Sequence, residues 1–217
     1  MNLENARFNM IEQQLRPWNV LDPVVLDLLN LVPRENFVPQ QYSGLAYADI
    51  EVPLGHDVAM LSPKIEARLL QALALNNNES VLEIGTGSGY LTALLATLAK
   101  HVYSVEIIPE LSKSAAARLR KQGIKNVTLE VGDGAQGWAK HAPYDVIVLG
   151  GSVPLLAPAF QQSLNIGGRL LAVVGEAPVM TVTLVTRVNA TAYRTDAVFE
   201  NCIPSLVNAP QPERFTF

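Results

Sequence analysis

The run Val81-Leu82-Glu83-Ile84-Gly85-Thr86-Gly87-Ser88-Gly89-Tyr90 constrains this chain more than any other segment. Apolar Val81, Leu82 and Ile84 lead into three glycines at alternate positions, and the leucine- and alanine-rich stretch Leu91 to Lys100 follows at once. The pattern predicts a buried strand, a tight turn and a helix N-terminus, an arrangement in which backbone can approach a nucleotide-like ligand closely. A dinucleotide loop spells G-x-G-x-x-G and sets a helix N-terminus on a diphosphate. Here the spacing is G-x-G-x-G, and an acid, Glu83, stands two residues before the first glycine. A carboxylate suits a cationic group better than a diphosphate. Spacing and sign therefore favour S-adenosylmethionine (SAM), with its ammonium and sulfonium, and leave NAD as the runner-up.

The rest of the chain supplies a frame for that loop. Apolar residues recur at helical spacing over 3–15 and again at Val24, Val25, Leu28 and Leu29, where Asp22-Pro23 marks a helix start. Residues 33–57 carry Pro33, Pro39, Pro53, Gly44 and Gly55 and read as irregular; Ser62-Pro63 opens a helix through about Leu75. From residue 79 strands and helices alternate: strands at 81–84, 103–106, 127–131, 144–149 and 169–174, with helices at 111–122 and around 158–164. Alternating apolar positions at 180–188, a turn near Asn189 and a β-rich run at 192–199 predict a closing antiparallel hairpin. The expected fold is α/β: a doubly wound, mostly parallel sheet with an N-terminal helical extension and a C-terminal antiparallel hairpin. We expect one domain over 1–217, in which 1–78 form the helical extension and substrate-side segment and 79–217 the SAM-binding core.

Ligands of such sheets sit outside the carboxyl ends of the strands. Glu106 ends the second core strand 21 residues after Gly85, the position from which an acid accepts both ribose hydroxyls. Asp133, between Gly132 and Gly134 after the next strand, can accept from an adenine amino group, although Asp and Gly also dominate ordinary turns. Gly150-Gly151-Ser152 follows the fourth strand and reads equally well as room for a ligand or as a simple loop. With their neighbours, the expected cofactor contacts are Glu83, Gly85, Thr86, Gly87, Ser88, Gly89, Glu106, Ile107, Asp133, Gly134 and Gly150.

Composition narrows the partners. In 217 residues the formal net charge is −4, so no basic field serves non-specific nucleic-acid binding. One cysteine, Cys202, excludes an internal disulfide and a cysteine metal cluster, and the three histidines lack metal-ligand spacing. No metal is expected. No apolar run reaches the roughly 18 residues of a membrane span, and the amino terminus does not read as a secretion signal. A cytoplasmic protein without a membrane or nucleic-acid partner is the expectation; oligomeric state is not legible.

Several segments together resemble the protein-L-isoaspartate O-methyltransferase family, a branch of the SAM-dependent methyltransferases. Residues 32–39 (Val-Pro-Arg-Glu-Asn-Phe-Val-Pro) and Ala46-Tyr47-Ala48-Asp49 are similar to its amino-terminal signature, and residues 81–92 to its cofactor loop. Val105 to Leu111, Gly132-Asp133-Gly134 with Gly137-Trp138, and Leu164 to Leu171 are similar to its later motifs. The resemblance implies methyl transfer from SAM to the free α-carboxylate of isoaspartyl residues in damaged proteins, a step that permits closure to a succinimide and return to aspartate.

One segment departs from the family pattern, in which Pro-Leu/Ile-Gly is followed by x-Gly-Gln-Thr-Ile-Ser-x-Pro. This chain places Asp57, Val58, Ala59 and Leu61 at the Gly, Gln, Thr and Ser positions. Both hydroxyls that the resemblance assigns to acceptor positioning are missing. Ser62, one residue later, is the candidate catalytic residue; it also suits the N-cap of the following helix. Two alternatives therefore stay open: a SAM-dependent methyltransferase with another acceptor, and a SAM-binding homologue without isoaspartyl activity. The aromatic tail residues Phe215 and Phe217 either pack on the domain or line the acceptor cleft.

Overall fold

The computed structural model describes residues 2–213. The chain opens with helix α1 (Leu3–Asn9), continues through a π-helical turn (Met10–Leu15) and a 3-10 turn (Arg16–Trp18), and re-forms as α2 (Pro23–Leu31). Asp22 caps α2, its carboxylate accepting from the Val24 N–H at 2.9 Å. The single long helix expected over 3–15 is thus a helix with a π-helical end, which buries Met10, Ile11 and Leu15. Helix α3 (Pro63–Leu73) ends where Ala74 turns left-handed.

The segment expected to be irregular contains a two-stranded antiparallel hairpin, β1 (Val52–Gly55) with β2 (Val58–Met60). His56 and Asp57 form its tip, both with positive φ (55° and 58°). Paired positive φ values are those of a type I′ hairpin turn, usually signalled by Asn-Gly or Asp-Gly. His-Asp carries no such signal, so the sequence concealed the hairpin.

The core follows as β3 (Ser80–Ile84), α4 (Tyr90–Leu98), β4 (His101–Glu106), α5 (Pro109–Lys121), β5 (Val127–Val131), β6 (Tyr144–Val153), α6 (Pro158–Gln162), β7 (Leu164–Glu176), β8 (Val179–Arg187) and β9 (Tyr193–Glu200). Seven strands form one sheet in the order β5-β4-β3-β6-β7-β8-β9. The first five are parallel, and β8 and β9 close the edge antiparallel, as the sequence predicts. Strand β6 runs past Leu149 to Val153, so Gly150, Gly151 and Ser152 belong to an irregular strand end and not to a free loop.

The pleat sorts alternate residues to two faces. Val81, Val102, Val146, Val148 and Leu171 pack with α2, α3 and α4 in one apolar cluster. Leu82, Ile84, Val105, Ile147 and Leu170 pack on the other face with Phe160 of α6 and with Leu206 from the carboxyl-terminal segment. Arg169 ties the sheet to the end of α3: its guanidinium donates to the Leu73 and Ala74 carbonyls and meets the Glu79 carboxylate at 2.7 Å. No described helix is long and apolar enough to cross a membrane.

Candidate functional site

At the carboxyl ends of β3, β4, β5 and β6 lies a cleft of about 330 Å³. Gly85, Gly87, Glu106, Ile107, Asp133, Gly134 and Gly150 all line it. The four strand-end groups singled out in the sequence therefore converge on one volume. A smaller cavity of about 40 Å³ shares Ala59, Leu61, Gly85, Gly87 and Gly150 with the cleft and adds Thr86, Ser88 and Glu66. It sits between the β1–β2 hairpin and the glycine loop.

The loop is held from beneath by acids. Glu106 is nearly buried; Oε2 accepts from the Gly87 N–H at 2.8 Å and Oε1 from the Ile108 N–H at 3.0 Å. Each carboxylate oxygen keeps a further lone pair for a hydroxyl in the cleft. Asp133 accepts from the Ala135 N–H at 3.0 Å through Oδ1 and from the Asn208 amide at 2.8 Å through Oδ2. Gly150 passes so close to the loop that an added Cβ would lie 2.8 Å from the Gly85 carbonyl oxygen. Only glycine fits there.

Two residues expected at the ligand lie elsewhere. Glu83 is fully buried and does not line the cleft. It shares the Val81 side of the pleat, beneath α4, where Oε2 accepts from Thr92 Oγ1 at 2.5 Å and Ser104 Oγ at 2.6 Å. Burial pushes its carboxyl up to about 8 against these two hydrogen bonds. In this structure Glu83 braces the strand–helix junction, and the charge argument drawn from its place in the sequence does not describe its surroundings. Gly89 (φ 84°) starts α4, and an added Cβ would lie 3.0 Å from Cβ of Ala115, so it serves helix packing.

Ser62 occupies the N-cap position of α3, but its hydroxyl makes no capping hydrogen bond and it lines neither cavity. Its carbonyl accepts the first backbone hydrogen bonds of the helix, from the Ile65 and Glu66 N–H groups. The hairpin instead presents His56, Asp57, Val58, Ala59 and Leu61 to the cleft. Thr86 contacts Ser104 at 2.6 Å between hydroxyls, and Ser88 Oγ accepts from the Tyr90 N–H at 3.1 Å.

Two contributors were not singled out as site residues from the sequence. The segment after β9 returns across the cleft: Ser152 N–H donates to the Pro204 carbonyl, Leu206 N–H to the Ser152 carbonyl, and Pro204 to Val207 line the wall. This strap has no periodicity to read. The other is Arg34, fully buried within the 32–39 signature, whose guanidinium donates to the Ala46 carbonyl at 2.9 Å, the Leu61 carbonyl at 2.5 Å and the Glu66 carboxylate. Phe215 and Phe217 lie outside the described residues.

Comparison with known proteins agrees with the motif set. The family described as protein-L-isoaspartate(D-aspartate) O-methyltransferase matches residues 5–203. Protein-L-isoaspartate O-methyltransferase 1 of Rhodopseudomonas palustris is 45% identical over 169 residues, covering 78% of this chain and 69% of that protein. Protein-L-isoaspartate O-methyltransferase 2 of Marinobacter nauticus is 39% identical over 193 residues and 88% of both chains. Among solved structures, a Plasmodium falciparum protein described as a beta-aspartate methyltransferase, in complex with S-adenosyl-L-homocysteine, superposes with a TM-score of 0.79 at 20% identity over 95% of this chain and 99% of its own. With its fold shared and nearly all of its length matched, this chain belongs to the protein-L-isoaspartate(D-aspartate) O-methyltransferase family.

Proposed function

We propose that this protein transfers the methyl group of SAM to the free carboxylate of isoaspartyl residues in damaged proteins. The observation that carries the reading is the convergence of Glu106, Asp133 and the Gly85–Gly89 loop on one cleft whose remaining wall is the β1–β2 hairpin. The residues suit the cofactor: Glu106 keeps lone pairs for ribose hydroxyls, Asp133 suits an adenine amino group, and Gly150 leaves space where a Cβ would intrude. Thr86, Ser88, Ile107 and Gly134 complete the proposed contacts. Ser62 carries no proposed role in transfer.

SAM supplies an activated methyl group on a sulfonium. An acceptor carboxylate is already ionised at neutral pH, so the protein needs no general base. The protein's task is alignment and exclusion of water. Strap residues Leu206 and Val207 close one side, and apolar Ala59 and Leu61 close the other. We place the adenosine portion along Glu106 and Asp133, and the acceptor at the smaller cavity beside the hairpin.

Packing across the described residues supports the one-domain reading, because Met10, Val25 and Leu29 share a buried cluster with sheet residues Val146 and Leu171. The exposed free thiol of Cys202 suits a reducing, cytoplasmic setting.

The test is incubation with labelled SAM and a synthetic isoaspartyl peptide, with the aspartyl peptide as control. Base-labile label on the isoaspartyl peptide alone is expected; no ester at saturating SAM contradicts the proposal. A second reading, another acceptor for the same donor, is favoured by one observation: Asp57, Ala59 and Leu61 face the cleft without a hydroxyl. Under that reading, Ala59→Thr with Leu61→Ser creates isoaspartyl activity that the unmodified protein lacks.

A further inference from the structure

The smaller cavity has an unexpected floor. Leu54, Ala59, Met60, Leu61 and Leu91 make its walls apolar, and the glycine loop closes the opposite side. Glu66 is the sole ionisable side chain lining it among the described residues. It is 2% exposed, and its Oε2 is taken by the Arg34 guanidinium. No hydrogen bond from a described residue reaches Oε1. The hydroxyl of Thr86 is engaged with Ser104, and Ser88 belongs to the loop assigned to the cofactor.

A carboxylate entering this cavity must exchange water for a partner, because an unpaired charge is costly away from solvent. Arg34 cannot serve directly: its guanidinium is fully buried, spans Ala46, Leu61 and Glu66, and does not line the cavity. We propose that Glu66, fixed by Arg34, binds the acceptor by donating a hydrogen bond from a protonated Oε1 to the oxygen of the acceptor carboxylate that is not methylated. This rests on the isoaspartyl reading above and deepens it by naming the group that receives the substrate.

The surroundings keep such a proton available. Burial pushes the Glu66 carboxyl up to about 7, against the pull of the Arg34 charge and hydrogen bond. The other charged or titratable groups facing it are Glu83 from β3 and Tyr90 from α4, whose buried hydroxyl has no partner. On its own helix, Lys64 pairs with Asp49 and Arg68 lies over the Phe199 ring. In the transfer the second acceptor oxygen forms its bond to the methyl carbon as the carbon–sulfur bond breaks, and that bond's electron pair goes to sulfur. Glu66 keeps its proton, so no proton is consumed. An ionised Glu66 would repel the acceptor instead.

The experiment is a pH profile of kcat/KM for an isoaspartyl peptide at saturating SAM, measured on the wild type, Glu66→Gln and His56→Gln. Wild-type kcat/KM is expected to fall by about fivefold or more between about pH 6.5 and about pH 8.5, as the raised Glu66 carboxyl loses its proton. Glu66→Gln, a permanently neutral donor, is expected to vary less than about threefold over that range and to exceed the wild type at its alkaline end. His56→Gln, which removes the histidine at the hairpin tip, must keep the wild-type slope. A wild-type profile flat across the range overturns the inference whatever the variants do. Parallel falls in wild type and Glu66→Gln, or loss of the fall in His56→Gln, overturn it too. If the wild type forms no ester at any pH, the isoaspartyl reading fails and carries this inference with it; ester formation with the wrong profile removes the inference alone.

Discussion

Asp133 shows how a single side chain ties two parts of the fold together at the cleft. One carboxylate oxygen holds the local turn through Ala135, and the other holds the strap through Asn208. In the binding mode proposed above, an adenine amino group would add to a free lone pair or take the place of the Asn208 amide. Hydrogen bonds to charged groups contribute about 1.5–3 kcal/mol. Asp133→Ala is therefore expected to weaken S-adenosylhomocysteine binding about tenfold or more, about 1.4 kcal/mol at the lower end, by calorimetric titration; unchanged affinity would remove Asp133 from the site. The places of Glu106 and Asp133 at the cleft were legible from sequence because one ends and the other follows a predictable strand. Glu83 was not, since adjacency to the glycine loop says nothing about which side of a pleated strand a side chain takes. Val81 and Glu83 share the face under α4, and Leu82 and Ile84 the other.

At the scale of elements, strands with long apolar runs declared themselves, above all β6, buried between two layers. The hairpin and the strap did not. Both are defined by backbone geometry and by contacts distant in sequence, such as Ser152 with Pro204 and Leu206. The hairpin tip makes its own prediction. Asp57 occupies a left-handed conformation that glycine adopts at less cost, and it lines the cleft. Asp57→Gly is expected to raise stability by up to about 1 kcal/mol in urea unfolding, the part of the roughly 1–2 kcal/mol left-handed cost not offset by glycine's own entropy, and to lower KM for an isoaspartyl peptide several-fold. A higher KM would show that Asp57 assists the acceptor. On the thinly covered face of the sheet, Phe160 of α6 is fully buried. Phe160→Ala is expected to cost about 3–5 kcal/mol, and a loss under about 1 kcal/mol in the same unfolding experiment would contradict the packing described.

For the whole molecule, acids of opposite shift, two buried and one half-buried, shape stability against pH. Glu66 and Glu83 are raised to about 7 and about 8, chiefly by burial. Their protonated forms favour the folded state fully below the unfolded carboxylate range, and that contribution is lost as pH rises through their folded values. Glu130 has the reverse sign: burial raises it, but hydrogen bonds from Lys140, His141 and Trp138 outweigh burial and hold it down at about 2. Its contribution is present above the unfolded range and is lost as pH falls toward 2. The unfolding free energy is expected to peak in the mildly acidic range, fall by about pH 9 and fall again in strong acid. Glu83→Gln flattens the alkaline limb; an unchanged limb in that variant would contradict the buried, protonated state assigned to Glu83.

All of this depends on the cleft at the strand ends being the place where SAM binds. Calorimetric titration of the ligand-free protein with SAM, in parallel with Glu106→Ala and with NAD as competing ligand, asks that directly. Saturable one-to-one binding of SAM, weakened at least about tenfold in Glu106→Ala and absent for NAD, is the predicted result. No heat with SAM, or tight uptake of NAD in its place, would contradict the account.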